Sequence, residues 1–133
     1  MILVVDASVA VKWVLPESNS ALAAALRTAD DELIAPSLAW AEIGSAIWKA
    51  VRRGDITARD ARETLQIAVA HYHRIEPLDE YAERALALAI ELRHPIYDCF
   101  YLALAERENA PLVTADEEMI AAARKAKIKA RRI

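Results

Sequence analysis

Glycine and cysteine are scarce in this sequence, and each shortage excludes a class of site. The chain has 133 residues but only two glycines, Gly44 and Gly54. It therefore has neither a glycine-rich phosphate loop nor a dinucleotide-binding fingerprint. Its single cysteine, Cys99, excludes an internal disulfide. No histidine spacing resembles a zinc motif. Because no export signal is recognised, a reducing compartment is expected.

Long apolar runs and a large excess of one charge are also absent. No stretch approaches the roughly 20 apolar residues that span a bilayer, and no signal peptide is recognised, so we expect a cytoplasmic protein. The net charge of −3, from 17 basic and 20 acidic residues, does not by itself indicate nucleic-acid binding. Two basic clusters stand out: Lys49 with Arg52 and Arg53, and residues 124–132. Solvated surface is the expected interpretation of either cluster, and Lys49, Arg52 and Arg53 are also candidate RNA contacts.

Short apolar runs alternate with helical patterns along the whole chain. Residues 2–5 and 112–114 are predicted to be buried strands, and strands that alternate with helices imply a parallel sheet covered on both faces. An amphipathic helix begins after Ser37 and ends at Gly54, and another begins at Thr57 without an intervening strand. This pattern predicts an αα-hairpin inserted into a single domain that spans all 133 residues.

Two predictions concern the second half of the chain. Asp79 is expected to cap a helix over residues 80–93, and residues 128–133 are expected to form a last edge strand. Pro95 precedes a helix in which Asp98 is the only charged residue of the run from 96 to 105. Such an apolar helix is predicted to be buried, and a lone carboxylate there is costly unless it is paired, protonated or bound to a cation.

Three other acids stand at the ends or flanks of apolar elements. Asp6 and Asp116 each follow a predicted strand directly, and Glu42 lies about one turn into the helix after Ser37. Because the carboxyl ends of parallel strands share one edge, these acids and Asp98 are expected to meet there. Taken singly, Asp6 and Asp116 have an alternative interpretation as helix N-caps, and Glu42 has one as a solvated helix position.

Carboxylates crowded at one edge repel each other, and a divalent cation removes that repulsion. Mg²⁺ prefers oxygen ligands, keeps several waters and commonly binds through a few carboxylates together with a substrate phosphate. The chemistry that this arrangement suits is hydrolysis of a phosphodiester bond. The sequence therefore predicts a magnesium site made of four acids: Asp6, Glu42, Asp98 and Asp116.

The four acids lie in motifs that resemble those of PIN-domain ribonucleases. In chain order the motifs are Val4-Val5-Asp6-Ala7-Ser8, Ala41-Glu42, Tyr97-Asp98-Cys99-Phe100-Tyr101-Leu102-Ala103-Leu104-Ala105 and Leu112-Val113-Thr114-Ala115-Asp116. The resemblance is strongest to the toxin component of VapBC-type toxin–antitoxin pairs and covers essentially the whole chain. It implies a three-layer α/β/α sandwich with a central, mainly parallel sheet, and metal-dependent cleavage of RNA.

The resemblance also implies roles for individual residues. It places Mg²⁺ or Mn²⁺ at the same four acids, with Asp6 and Asp98 as the best candidates for direct ligands. Ser8 and Thr114 match the small polar positions that line the pocket. Whether residues 117–118 add a fifth carboxylate stays open.

Toxins of this family are usually homodimers, and a small antitoxin inhibits them by filling a groove that leads to the acids. Trp13, Trp40 and Trp48 are candidates for that groove or for the dimer interface. Trp40 and Trp48 share the apolar stripe of their helix, so ordinary core packing is the expected alternative for both. The position of Trp13 is left open.

Two other functions share the predicted architecture. A receiver-like phosphotransfer domain would need paired acids after the first strand and an acceptor aspartate after the third, and the sequence shows neither. A non-catalytic PIN-like module that binds a protein or RNA is the second alternative. The intact set of acids argues against it.

Overall fold

Five parallel strands form the central sheet of the computed structural model, which describes residues 1–133. In chain order they are β1 (Ile2–Val5), β2 (Glu32–Pro36), β3 (Arg74–Glu76), β4 (Leu112–Thr114) and β5 (Ala130–Arg132). Their order across the sheet is β3-β2-β1-β4-β5, and every neighbouring pair is parallel. The predicted α/β class with a parallel sheet is confirmed, including the last edge strand.

Seven α-helices connect or flank these strands. They are α1 (Ala7–Ala10), α2 (Ser20–Thr28), α3 (Leu38–Arg53), α4 (Ala58–Ala70), α5 (Ala82–Leu92), α6 (Ile96–Glu108) and α7 (Glu117–Lys125). Helices α3 and α4 pack against each other with no strand between them, as predicted for the αα-hairpin. None of the helices combines the length and apolar character needed to cross a membrane.

The path of the chain across the sheet reverses between β1 and β4. The first connections step from β1 to β2 and β3, whereas the chain then returns past β1 to reach β4 and β5. Because parallel crossovers are right-handed, this reversal places helices on both faces of the sheet and produces three layers. Ligands of such sheets bind beyond the carboxyl ends of the strands at the reversal, which here means the ends of β1 and β4.

One apolar core of 37 buried residues fills the space between the layers. Among the 41 buried residues of the chain, only Asp6 and Thr114 are polar or charged. They stand at the carboxyl ends of β1 and β4. A buried polar group is costly without a hydrogen-bond partner. At these two residues the core therefore needs hydrogen bonds and not only apolar contacts.

Some predicted helix ends are confirmed, and others are wrong. Gly54 ends α3 in the left-handed conformation with φ of 82°, which glycine adopts without strain. The Thr57 hydroxyl caps α4. Ser37 precedes α3 but makes no capping hydrogen bond with its side chain. Asp79 does not cap α5, because it lies within a separate 3-10 turn and the helix begins only after Tyr81.

The tryptophans lie differently from expectation. Trp13 is buried, and its indole nitrogen donates to a main-chain carbonyl at 2.9 Å. Trp40 and Trp48 are 39% and 56% exposed, so their predicted core positions are wrong. Ile43 and Ile47 lie on the buried side of α3, and neither indole is among the buried residues of that helix.

Candidate active site

Four acidic residues from four different elements line one cavity of about 390 Å³. Asp6 follows β1, Asp116 follows β4, Glu42 lies near the start of α3, and Asp98 lies in the first turn of α6. The cavity is therefore at the carboxyl edge of the sheet, beside the reversal between β1 and β4. The structure brings all four acids selected from the sequence to this one place.

Asp6 is held by hydroxyl groups. Its Oδ2 accepts hydrogen bonds from Ser8 Oγ at 2.6 Å and from Thr114 Oγ1 at 2.8 Å. The amides of Ala115 and Asp116 each donate to one of these hydroxyls at 3.1 Å. The Asp6 side chain makes no capping hydrogen bond to α1, so capping does not account for a carboxylate at this position.

Asp98 is paired with a histidine. His94 Nε2 lies 2.7 Å from Asp98 Oδ2, and because an ionised carboxylate only accepts hydrogen bonds, the ring nitrogen is the donor. The Asp98 side chain is 24% exposed, so it is not the fully buried charge that the apolar sequence predicts. Helix α6 is buried from Tyr101 to Ala105, but its first turn opens onto the cavity.

Glu42 and Asp116 are oriented by partners of different kinds. The hydroxyl of Tyr101, a fully buried residue, donates to Glu42 Oε1 at 2.8 Å and so links α6 to α3. Asp116 Oδ1 accepts from the amide of Glu118 at 2.9 Å. The N-cap interpretation of Asp116 is thus correct, and the same side chain also lines the cavity.

In each carboxylate these hydrogen bonds fall on one oxygen. The bonded atoms are Oδ2 of Asp6 and Asp98, Oε1 of Glu42 and Oδ1 of Asp116. The second oxygen of each carboxylate takes no part in these hydrogen bonds. Donors that fix the direction of a carboxylate in this way are typical of metal ligands.

The electrostatics of the cavity favour a cation. Burial raises the pKa of Asp6 above its ordinary value, although the hydrogen bonds from the two hydroxyls oppose the rise. Burial also raises the pKa of Glu42 to about 7; the hydrogen bond from Tyr101 opposes this shift, and the charges of Asp6 and Asp98 add to it. A divalent cation would favour the ionised form of both acids.

Comparison with known families identifies the chain. Residues 3–125 match the family model described as the PIN domain. The chain belongs to the PIN-domain family. Ribonuclease VapC3 of Pyrobaculum aerophilum is 33% identical to it over 122 residues, which cover 90% of this chain and 92% of that protein.

Solved structures confirm the PIN-type fold. PAE2754 from Pyrobaculum aerophilum aligns with a TM-score of 0.69 and 28% identity over 92% of this chain and 87% of that one. A chain in a toxin-antitoxin complex from Klebsiella pneumoniae aligns with a TM-score of 0.68 and 18% identity over 90% of both chains. The second likeness concerns the fold alone.

The donor set of this PIN domain fits a hard divalent cation. All four acids offer carboxylate oxygens, the ligands that Mg²⁺ and Mn²⁺ prefer. No three His, Cys, Asp or Glu side chains converge closely enough to enclose an ion by themselves. This spacing suits an ion that keeps several waters and binds directly through one or two carboxylates.

The two small polar residues of the PIN site donate to the same oxygen of Asp6 but differ in exposure. Ser8 lines the cavity, whereas Thr114 is fully buried behind the carboxylate that it holds. Neither Glu117 nor Glu118 lines the cavity, and the fifth carboxylate there belongs to Glu17.

The basic cluster of α3 does not reach the acid cavity. Arg53 pairs with Asp55 at 2.9 Å. The Arg52 guanidinium lies 4.9 Å from the centre of the Trp48 ring, within range of a cation–π contact. Lys49 is exposed.

Sequence reasoning on the PIN motifs does not select four residues that shape the site. His94 and Tyr101 hold Asp98 and Glu42, and Lys12 and Glu17 line the cavity with the acids. Spacing offers a partial signal, because His94 lies only four residues before Asp98, just ahead of the helix that carries this acid. The partnership between Tyr101 and its glutamate joins distant parts of the chain and leaves no such local signal.

Proposed function

We propose that this PIN-domain protein is a metal-dependent endoribonuclease that hydrolyses phosphodiester bonds of RNA and acts as the toxin of a toxin–antitoxin pair. The observation that carries the proposal is the single cavity lined by Asp6, Glu42, Asp98 and Asp116. A relative over nearly the full length is named a ribonuclease, and a chain of similar fold belongs to a toxin-antitoxin complex. The requirement for Mg²⁺ or Mn²⁺ and the roles of the individual residues belong to this proposal.

We assign Asp6 and Asp98 as direct metal ligands, and Glu42 and Asp116 as acids that act through water in the coordination shell. A bound ion would supply an activated water and neutralise the charge that develops on the phosphate. The protein's own groups hold the ligands in place beforehand: two hydroxyls on Asp6 and an imidazole on Asp98. Ligands oriented in advance need little rearrangement during the reaction.

Helix α3 connects the acid cavity to the proposed RNA contacts. Glu42 and Ala46 line the cavity, and Lys49 and Arg53 follow at spacings of three and four residues on the same face. At 1.5 Å per residue, Lys49 lies roughly 10 Å further along the axis than Glu42. An RNA strand that leaves the cavity along this face would meet Lys49, Arg52 and Arg53.

The proposed partners also have candidate surfaces. An apolar cavity of about 410 Å³ between α3 and α4 includes Trp48, Val51 and Leu65, and we propose it as the binding site of an antitoxin helix. Exposed Leu86 and Ile90 on α5 are the apolar surface that a homodimer would cover. Because RNA is the substrate, the cytoplasm is the proposed place of action.

Replacing Asp98 with asparagine tests the function. Asp98→Asn is expected to reduce Mn²⁺- or Mg²⁺-dependent RNA cleavage by more than the roughly 10–100-fold that changes in the outer shell of a metal site cost. The matched control is Asp79→Asn, an exposed acid outside the cavity, which should leave cleavage unchanged. Retained cleavage in a folded Asp98→Asn protein would remove Asp98 from the mechanism. A wild-type protein that binds RNA without cleaving it would favour the non-catalytic alternative.

A further inference from the structure

The acid cavity contains one basic side chain, Lys12, beside five carboxylic acids. Lys12 lies in the 3-10 turn Val11–Trp13 and is half-buried. Ser8, which lies in the preceding helix α1, lines the same cavity. The ammonium group of Lys12 makes an exposed contact, so a ligand that enters the cavity can reach it.

The partner that the protein provides is a main-chain oxygen. Lys12 Nζ donates to the carbonyl oxygen of Ser18 at 2.8 Å and forms no ion pair with an acid of the cavity, not even with Glu17 beside its anchor. The anchoring loop is itself closed by a hydrogen bond from Ser20 Oγ to the Glu17 carbonyl at 2.5 Å and by Asn19 in the left-handed conformation. An ammonium has three N–H groups, so two remain for another ligand.

The contacts of Lys12 distinguish two possible roles. A lysine that neutralises the acids would be expected to contact one of them, and Lys12 does not. The acids of the cavity repel the negatively charged phosphates of RNA. A cation that binds one of these phosphates would offset part of that repulsion. We propose that Lys12 binds a backbone phosphate of RNA in the acid cavity, with its two remaining N–H groups donating to the non-bridging oxygens.

This assignment rests on the proposed ribonuclease function and adds a substrate-binding residue to it. Removal of the Lys12 charge weakens the hold on RNA, but it also takes away a positive charge that repels a divalent cation. RNA affinity and metal affinity should therefore respond differently to the same substitution. A residue that only supports the fold of the cavity would weaken both.

The experiment compares Lys12→Met with Lys129→Met, a control lysine at the opposite, amino edge of the sheet. The RNA probe is a fluorescein-labelled single-stranded oligonucleotide of random sequence. Its binding is measured by anisotropy in EDTA over a range of salt concentrations, and its cleavage is measured with Mn²⁺. Mn²⁺ binding without RNA is measured by calorimetry, and melting temperatures are recorded for every variant.

Lys12→Met is expected to weaken RNA binding at least about tenfold, since even one charge-assisted hydrogen bond to phosphate accounts for that much. The slope of log affinity against log salt should decrease in magnitude by about 0.7, the value for one neutralised phosphate in a single strand. KM should rise more than kcat falls, and Mn²⁺ affinity should stay equal or increase. Lys12→Arg should retain most of the RNA binding, and Lys129→Met should change none of these quantities.

Two results would overturn the proposal: unchanged RNA binding and KM in Lys12→Met, or a parallel loss of RNA and Mn²⁺ affinity, which indicates a structural role. If Lys12→Met does not fold, Lys12→Gln takes its place, because its amide can still donate to the Ser18 carbonyl, and the same outcomes decide. A wild-type protein that does not cleave RNA with Mn²⁺ overturns the ribonuclease function and this inference together. If the wild-type protein cleaves RNA and Lys12→Met keeps the same RNA affinity and KM, only the role of Lys12 is overturned, and the ribonuclease function is retained.

Discussion

His94 donates a hydrogen bond from Nε2 to Oδ2 of Asp98, 2.7 Å away, on the other side of Pro95. The histidine side chain is only 12% exposed, so surrounding residues hold the ring in place. Oδ1 of Asp98 takes no part in this hydrogen bond. We therefore expect the direction of the Asp98 carboxylate to depend on His94.

Removal of the imidazole should weaken metal binding while the fold is retained. His94→Ala is expected to lower Mn²⁺ affinity about 10–100-fold, the usual cost of losing a residue that orients a metal ligand. His94→Gln is the matched variant, because its side-chain amide can donate a hydrogen bond to the same oxygen and should restore part of the affinity. Calorimetry with Mn²⁺ measures both. Equal affinity in His94→Ala and wild type would show that Asp98 does not need the histidine.

Asp6 should limit the stability of the metal-free protein. Burial raises its pKa, which means that the ionised side chain is disfavoured in the folded state. Asp6→Asn removes the charge and keeps an oxygen that can accept from both hydroxyls, so its melting temperature in EDTA should equal or exceed that of wild type. Asp6→Ala should instead cost about 1–3 kcal/mol, because Ser8 and Thr114 lose their acceptor. A large loss of melting temperature in Asp6→Asn alone would contradict this account.

Glu42 should make the metal-free protein less stable as the pH rises. Burial raises its pKa from 4.5 to about 7 in the folded protein. Between these two values the unfolded chain releases a proton that the folded protein retains, so the stabilising contribution is complete below 4.5 and is lost as the pH rises through about 7.

Melting temperatures in EDTA between pH 5 and 8 measure this effect. Glu42→Gln should flatten part of the decline, since the amide does not titrate. Glu63→Gln, at an exposed position of α4, is the control and should follow the wild-type curve. A wild-type curve that rises over this range and is unaffected by Glu42→Gln would contradict the assigned direction.

The basic cluster of α3 should contribute to RNA affinity through charge. Replacement of Lys49, Arg52 and Arg53 by glutamine is expected to weaken RNA binding and to reduce its salt dependence by about 0.7 in slope for each phosphate that is no longer neutralised. Lys49→Gln alone should cause a large share of this loss of RNA affinity, because Arg53 is already paired with Asp55 and Arg52 lies over Trp48. Anisotropy titrations at several salt concentrations provide the measurement.

The matched comparison uses basic residues at the other edge of the sheet. Lys127 and Lys129 line a cavity beside Met1 and Pro111, where the strands begin. Their joint replacement by glutamine should leave RNA binding nearly unchanged. If both sets of substitutions have the same effect, the RNA is attracted by general charge and the face of α3 has no special role.

The sequence by itself determined the order of the elements and the identity of the four acids. Apolar runs and turn residues reveal strands and helices because each element must bury one side, and the alternation of the two types specifies a parallel sheet. Asp6 and Asp116 follow strands directly, so topology alone carries them to the same edge. Asp98 stood out as the only charge in an apolar helix, and the motif resemblance supported Glu42, for which a solvated helix position was the alternative.

Only the tertiary structure decided which groups hold those acids and which side chains stay in solvent. Thr114 and Tyr101 reach Asp6 and Glu42 from distant parts of the chain, and helical periodicity specifies a face of an element but not the neighbour that will cover it. For the same reason Trp48 lies on an apolar stripe and is nevertheless exposed. The position of Lys12 beside the acids likewise depends on how a short helical turn packs at the end of the sheet.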